Sequence, residues 1–227
     1  MPTTPSSTWR ERLRALPVLS EPIGTLDLDD LPATPGQLFT AWLNDAIAAR
    51  VPEPHVMTLS TVDGDGLPNA RTVILTDVAE DGWSFSTDTL SAKVEEIAVN
   101  PQVALTFYWP ALGRQVRVQG RARQAAATTS AADFAARSAH ARAVILAAHD
   151  LARTTPDWDR ADLLRGAEDR LREGPSGLSP AAGPLPWAAY VVRPARVEFW
   201  QADPGRLHQR VVYTFGESGW ARGVLPH

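Results

Sequence analysis

The side chains best placed to do chemistry in this 227-residue chain are polar groups set into short apolar segments. Gln115, Arg117 and Gln119 alternate with two valines, so a strand here would present three polar side chains on one face. Arg71 stands at the start of the strongly apolar segment 72–75. A half-solvated strand and a salt bridge at a sheet edge give the same two patterns, so the residues alone leave their role open.

Thr87, Ser91 and Lys93 cluster where a predicted strand passes into a predicted helix. Hydroxyl groups and free backbone N–H groups at such a junction can hold a phosphate. Helix capping by Asp88 or Ser91 explains the same residues without a ligand. Lys93 is the single lysine among 22 basic residues, and this makes it worth attention.

Arg206, His208 and Arg210 form a third cluster of cationic or titratable groups. They follow Trp200 closely and lie between two predicted strands, where a solvated turn would have a similar composition.

Several classes of protein are excluded by composition. The chain has no cysteine, which removes disulfides, thiolate metal sites and thiol nucleophiles. The five histidines have no metal-ligand spacing, so no metal site is predicted. A net charge of -4 with interspersed signs argues against nucleic acid as a partner. No apolar run approaches the roughly 20 residues of a membrane span, and no apolar signal core follows the N-terminus, so we expect a cytoplasmic protein.

The hydrophobic periodicity predicts a mainly β protein with flanking helices. Residues 1–34 read as an N-terminal arm, and 35–227 as one domain with a helical insertion at about 125–172. We predict a helix from Pro35, a short helix over 91–99, one helix over 125–153, another over 158–172 and a loop over 174–186. Strands are predicted over 55–62, 71–75, 83–87, 103–109, 115–123, 188–192, 196–201, 210–215 and 219–224. Strands do not alternate with helices throughout, so an antiparallel barrel with outer helices fits best.

Six segments, in order and spacing, resemble the pyridoxamine 5'-phosphate oxidase family of flavoproteins: 57–63, 71–75, 107–110, 115–120, 197–201 and 206–210. The resemblance runs from about Thr34 to the C-terminus. It implies an FMN-binding split β-barrel and a homodimer with FMN at the subunit interface. It also implies oxidation of pyridoxamine or pyridoxine 5'-phosphate to pyridoxal 5'-phosphate, with hydride passing to the flavin and oxygen reoxidising it to give hydrogen peroxide.

The resemblance also implies roles for individual residues. The flavin would be bound by Arg71, Thr72, Val73, Ile74, Ser86, Thr87, Ser91, Lys93, Gln115, Trp200 and Arg210. Arg71, Lys93 and Thr87 would lie on its phosphate side, and Trp200 and Arg210 would come from the partner subunit. Arg206 and His208 match the catalytic pair that contacts the substrate ring, and Arg137 matches the arginine that binds the substrate phosphate.

The chain departs from the family pattern at several of these positions. Thr76 and Ala92 replace basic residues, and Ser86 replaces an aromatic residue. Asp133 and Ala141 replace a tyrosine and a serine that assist Arg137, and Asp150-Leu151 replaces a Gln-Ser pair near the flavin. Each lost charge-assisted hydrogen bond is worth roughly 1.5–3 kcal/mol, so we expect weaker binding of a phosphorylated vitamer.

Three hypotheses about function follow. The first is oxidation of the vitamer phosphate. The second is the same flavin chemistry on a dihydro-phenazine type of substrate, since Arg137-Ser138 and Ala148-His149 resemble that branch of the family. The third is a flavin-binding protein without turnover, against which the retention of Arg206 and His208 counts.

Overall fold

The computed structural model describes residues 8–19, 24–179 and 184–226. Parts of the predicted arm, 1–7 and 20–23, and residues 180–183 of the predicted loop lie outside the described residues. The strands are Val56–Val62 (β1), Pro68–Ala79 (β2), Gly82–Asp88 (β3), Gln102–Trp109 (β4), Arg114–Gln124 (β5), Trp187–Gln201 (β6), Gln209–Gly216 (β7) and Gly219–Val224 (β8).

Six of these strands close into an antiparallel barrel. The sheet order is β3-β2-β1-β4-β5-β6-β7-β8, and an additional pairing of β3 with β6 completes the closure. β7 and β8 then extend the sheet beyond the barrel. The prediction of an antiparallel barrel with flanking helices is thereby confirmed.

The longest strand, β6, was predicted as two strands, and this prediction was wrong. Its first half, 187–192, pairs with β3, and its second half, 196–201, pairs with β7, while β5 pairs with residues 190–201 on the other edge of the strand. Pro194 does not end the strand because it lies at a register shift, where a missing N–H is tolerated. One strand therefore spans from the barrel to its extension.

The helices are Trp9–Arg14 (α1), Pro35–Ala48 (α2), Ala92–Val99 (α3), Ala127–Ala136 (α4), Ala139–Thr154 (α5) and Arg160–Arg172 (α6). α2 begins where predicted, with a capping box between Thr34 and Gln37. Its buried Phe39 packs on Trp83 and Phe107 of the barrel wall, with ring centroids 5.5 and 4.8 Å away. α2 therefore contributes directly to the main core.

The prediction of a single helix over 125–153 was wrong. α4 ends at Ala136 and α5 starts at Ala139, separated by Arg137 and Ser138 in extended conformations. The Ser138 side chain accepts a hydrogen bond from the backbone N–H of Ala141, so it caps α5 and favours a new helix start.

The residues that precede α2 lie along the extension of the sheet. Gln209 exchanges two hydrogen bonds with the backbone of Leu26, at 2.8 and 2.9 Å. The Tyr213 hydroxyl donates to the Pro32 carbonyl at 2.9 Å. α1, in contrast, has no buried residue. No helix among the described residues is long and apolar enough to cross a membrane.

Candidate active site

A largely buried polar network lies at one end of the barrel, where β1 and β2 meet α3. Glu96 of α3 accepts hydrogen bonds from the Thr61 hydroxyl at 2.5 Å and the Asn69 amide at 2.9 Å. It also forms an ion pair with Arg71 at 2.7 Å. Arg71 donates through its other terminal nitrogen to Thr61. The salt bridge that the sequence left open as one role of Arg71 thus exists, but β2 lies between β1 and β3 and not at a sheet edge, and the partner is a buried carboxylate on the helix.

Lys93 lies beside this network at the start of α3. Its ammonium group donates to the Thr87 hydroxyl at 3.0 Å and to the Ser91 hydroxyl. Ser91 is the N-cap residue of α3, yet its side chain makes no capping hydrogen bond. The Ser91 hydroxyl therefore faces the lysine, not the helix.

The electrostatics of the cluster reflect its crowding. Burial, followed by the positive charge of Arg71, lowers the pKa of Lys93 below its ordinary value of 10.5, while Asp88 and Glu96 act in the opposite direction. The hydrogen bond from Thr61 and the contacts of Arg71 hold the pKa of Glu96 below 4.5, against the opposing effect of burial. Two cations are therefore held close together beside an ionised carboxylate.

These residues fit a phosphate group. Two cations, two hydroxyls and the start of a helix converge at one place, and the Arg71 side chain remains 23% exposed. The site residues Arg71, Thr87, Ser91 and Lys93, predicted from sequence, are brought together by the fold.

The remaining predicted flavin residues of β2 and β3 point in different directions. Thr72 and Ile74 face outward from the barrel and are exposed, whereas Val73 packs against the core. Ser86 precedes Thr87 in an extended strand, so its side chain points to the opposite face. The Ser86 hydroxyl is buried and has no hydrogen-bond partner in the described part of the chain.

A second group of predicted residues lies in one row across β5, β6 and β7. Trp200 pairs with Gln115 on one side and with Arg210 on the other. The His208 ring lies 4.9 Å from the Trp200 ring, centroid to centroid. Arg210 is held by Glu198, a buried carboxylate that accepts from its guanidinium at 2.8 and 3.1 Å.

The turn before β7 carries Arg206 and His208. Arg206 is exposed and has a φ of 68°, in the left-handed region that residues with a side chain seldom adopt. The backbone N–H of Asp203 donates to Nδ1 of His208 at 3.0 Å. Nδ1 is therefore an acceptor, and a neutral His208 carries its proton on Nε2.

Arg137, the third predicted substrate residue, lies over an indole ring. Its guanidinium carbon is 4.2 Å from the centroid of the Trp187 ring. The Trp187 N–H donates to the Asp133 carboxylate at 2.5 Å. Trp187 also pairs with Asp88, which follows Thr87 directly, so Arg137 belongs to the same end of the barrel as Lys93.

The predicted residues thus form two separate groups in one chain. Trp187 and Trp200 stand at opposite ends of β6, and thirteen residues of strand correspond to about 40 Å. Arg137 and the Lys93 cluster lie near the first end, while Gln115, Arg206 and His208 lie near the second. A single chain does not bring the two groups into one pocket.

The positions that depart from the family pattern are also informative. Thr76 and Ala92 are exposed, and neither supplies a charge. The Asp150 carboxylate pairs with Arg170 of α6, which is buried and also donates to the Gly177 carbonyl at 2.7 Å. Asp150 therefore holds α5 to α6.

The described chain also has a cavity of 760 Å³ between the start of α2, the β2–β3 turn and β8, lined in part by Trp83 and Trp220. It shares no residue with either group of predicted site residues and lies towards the other end of β3 from Thr87. We therefore place the candidate active site at the cluster around Lys93 and not at this cavity.

Three residues with structural roles at the site were missed by sequence reasoning. Glu96, Trp187 and Glu198 orient Arg71, Arg137 and Arg210 respectively. Glu198 lay within a motif that signalled the family, but nothing in the sequence pattern marked the other two.

Comparison with known proteins identifies the family. Residues 43–164 match the family described as pyridoxamine 5'-phosphate oxidase, and residues 187–225 match the C-terminal dimerisation region of pyridoxine 5'-phosphate oxidase. Pyridoxine/pyridoxamine 5'-phosphate oxidase of Pseudomonas paraeruginosa is 40% identical over 196 residues, covering 86% of this chain and 89% of that protein. The enzyme of the same name from Bordetella petrii is 40% identical over 199 residues, covering 87% and 91%.

Two solved structures share the fold of this chain. PhzG from Burkholderia lata, in complex with tetrahydrophenazine-1-carboxylic acid, has a TM-score of 0.80 and 27% identity, covering 90% of this chain and 99% of that chain. An FMN-binding, pyridoxamine 5'-phosphate oxidase-related protein from Nostoc punctiforme shares the fold, with a TM-score of 0.65 and 21% identity over 86% and 98% of the two chains.

The antiparallel barrel, with two cations and two hydroxyls gathered at one end, is the fold of the solved structures just named. The chain belongs to the pyridoxamine 5'-phosphate oxidase family, an FMN-dependent oxidoreductase family, and it is an enzyme of that class. The resemblance inferred from the sequence motifs is confirmed.

Proposed function

We propose that this chain is a homodimeric FMN-dependent oxidase that converts pyridoxamine or pyridoxine 5'-phosphate to pyridoxal 5'-phosphate. The observation that carries the proposal is the convergence of Arg71, Lys93 and the Thr87 and Ser91 hydroxyls at one end of the barrel. This cluster suits the FMN phosphate.

Two copies of the chain are needed because the second group of residues is too far away within one chain. In the proposed dimer, Trp200 and Arg210 of one copy close the flavin site of the other, and Gln115 of that first copy, the strand neighbour of Trp200, reaches the flavin ring. Supporting this, the outward sheet face exposes 53% of Ile74 and 54% of Tyr108, an apolar surface that a second copy would cover. The match of residues 187–225 to a dimerisation region supports the same arrangement.

The substrate would bind between Arg137 of one copy and the turn of the other copy that carries Arg206 and His208. FMN, when bound, supplies the oxidising equivalents and returns to its oxidised form by reducing oxygen to hydrogen peroxide. Arg206 and His208 bind and orient the vitamer ring. Because Nδ1 of His208 accepts a backbone hydrogen bond, its Nε2–H is available as a donor to the substrate.

The direct test is anaerobic reduction of the reconstituted protein. FMN is added, then pyridoxine or pyridoxamine 5'-phosphate, and the visible band of the oxidised flavin is followed. Rapid bleaching at micromolar substrate is expected. Arg206→Ala should abolish most of the bleaching rate while FMN remains bound, and an unchanged rate would refute the assignment of Arg206.

A second candidate function is oxidation of a reduced phenazine precursor. Asp133 favours it. This carboxylate accepts a hydrogen bond from Trp187 beside Arg137, and its negative charge disfavours a substrate phosphate there. The similarity to PhzG also supports it. Bleaching by a tetrahydrophenazine carboxylic acid, but not by the vitamer phosphates, would select this function. Bound FMN that neither compound bleaches would indicate a flavin-binding protein without turnover.

A further inference from the structure

We propose that Glu96 is a positioning residue that fixes the Arg71 guanidinium and limits the positive charge of the phosphate site, so that it sets how strongly the protein prefers FMN to riboflavin. This inference rests on the proposed function, because it takes the cluster around Lys93 as the site of the flavin phosphate.

Glu96 is built into the network through both of its carboxylate oxygens. Oε2 accepts from Thr61 at 2.5 Å and from Arg71 at 2.7 Å, and Oε1 accepts from Asn69 at 2.9 Å. The residue is only 6% exposed, so these three side chains provide the hydrogen bonds that water would give to an exposed carboxylate. With one terminal nitrogen on Glu96 and the other on Thr61, the guanidinium has little freedom to rotate.

The charge balance of the site gives Glu96 a second effect. Arg71 and Lys93 supply two positive charges, while Glu96 and Asp88 act on Lys93 with two negative charges. Asp88 itself is contacted by Nε2 of His149 at 2.7 Å, and this histidine is charged only when protonated. With a neutral histidine the formal charges of the four groups cancel, although the ligand phosphate is an anion. Binding of the phosphate must then depend on well-oriented hydrogen-bond donors more than on the net charge of the site.

Removing the charge while keeping an acceptor separates these two effects. In Glu96→Gln the amide oxygen can still accept from Arg71, and the Asn69 amide can reverse to accept from the new N–H. The phosphate would then meet one more unit of positive charge. We expect the dissociation constant of FMN to fall about fivefold to tenfold at low salt, and that of riboflavin, which has no phosphate, to stay unchanged.

Glu96→Ala removes both the charge and the acceptor, so Arg71 is no longer held. We expect this variant to bind FMN more weakly than Glu96→Gln, again with riboflavin unchanged. Glu95→Gln is the matched control, because Glu95 is the neighbouring residue on the exposed face of α3 and its loss changes the net charge equally. That control should bind both flavins as the wild type does.

The experiment measures FMN and riboflavin affinities of the full-length apoprotein by quenching of flavin fluorescence, at low and high salt. The proposal is overturned if Glu96→Gln leaves the ratio of FMN affinity to riboflavin affinity unchanged, or if the affinities for both flavins change together, because a merely structural role would do that.

Asn69→Ala provides a second variant should Glu96→Gln fail to fold. This variant removes the hydrogen bond that Asn69 donates to Oε1, so less of the negative charge of Glu96 is screened from the phosphate. FMN should then bind several-fold more weakly, while riboflavin is unaffected. An unchanged FMN-to-riboflavin ratio again overturns the proposal.

If the proposed function itself is wrong, the same measurements give a different result. In that case the wild type itself would bind FMN no better than riboflavin, and Lys93→Ala would leave FMN affinity unchanged.

Discussion

At the scale of single residues, Trp187 links the two charged side chains nearest the proposed substrate phosphate. Its N–H binds Asp133 and its ring lies under Arg137. The indole therefore holds a carboxylate close to the guanidinium that should bind an anion. This arrangement lowers the positive potential that a phosphorylated substrate would meet.

Asp133→Asn should improve binding of a phosphorylated vitamer. The asparagine oxygen can still accept from Trp187, but the negative charge is gone, so KM should fall about fivefold with little change in kcat. Steady-state kinetics with pyridoxine 5'-phosphate measures this. Glu168→Gln, an exposed carboxylate on α6, serves as the control for net charge. An unchanged KM would mean that Asp133 does not face the substrate.

Glu96 also predicts a pH dependence of stability. The pKa of Glu96 is lowered below 4.5 in the folded protein, so its ionised form stabilises the fold above that pH. This contribution is lost as the pH falls through the folded-state pKa, because the proton then binds in both states. The stability difference between the wild-type apoprotein and Glu96→Gln should therefore be largest near neutral pH and shrink in acid. Urea unfolding across a pH series checks this, and a difference that is constant with pH would contradict it.

The sequence could predict which residue types gather at the barrel end, but not how they are held. Thr87, Ser91 and Lys93 lie within seven positions at a strand-to-helix junction, so their proximity follows from local structure. Glu95 and Glu96 look equivalent in sequence, yet they point in directions about 100° apart on a helix, and only Glu96 meets Thr61 and Arg71 from other strands. Contacts between elements distant in sequence decide such roles.

At the scale of elements, local sequence signals indicated where most strands and helices lie but misjudged two junctions. Pro194 reads as a break, yet the register shift opposite Gly120 absorbs it and β6 continues. The alanine-rich stretch 125–153 contains no proline or glycine, yet the Ser138 cap divides it. In both cases tertiary pairing or a side-chain cap overrides the intrinsic propensity.

Gly120 is essential to the β5–β6 junction. A Cβ at this position would lie 2.1 Å from the Arg193 carbonyl oxygen and 2.8 Å from the Pro194 Cα, and both are backbone atoms. Gly120→Ala should therefore lower the free energy of unfolding by about 1–3 kcal/mol or more. Urea denaturation measures this loss. The control, Gly64→Ala, has nothing within 4 Å of the added carbon and should be close to neutral. Equal stability of the two variants would show that the close approach is relaxed.

At the scale of the whole molecule, the two separated groups of site residues predict complementation between subunits. Lys93→Ala impairs the first group, and Arg206→Ala impairs the second. A hybrid dimer of the two variants would contain one doubly altered site and one intact site. Two differently tagged chains, co-expressed and purified through both tags, should therefore show about half the wild-type activity. Each parent variant, purified alone, is the control.

Activity of the hybrid no greater than the mean of the parents would show that each site is built from one chain. It would refute the proposed sharing of residues without affecting the family assignment.

The single strand β6 also carries an evolutionary consequence. Side chains alternate between faces along it, so inserting or deleting one residue between Trp187 and Trp200 would turn every later side chain to the opposite face. Residue types at the few exposed positions of this stretch can change, but its length cannot. Lineages that diverge from this chain should therefore accumulate substitutions in β6 while gaining and losing residues in the loops on either side of it. The exception is the register shift around Pro194, where an extra residue is already accommodated.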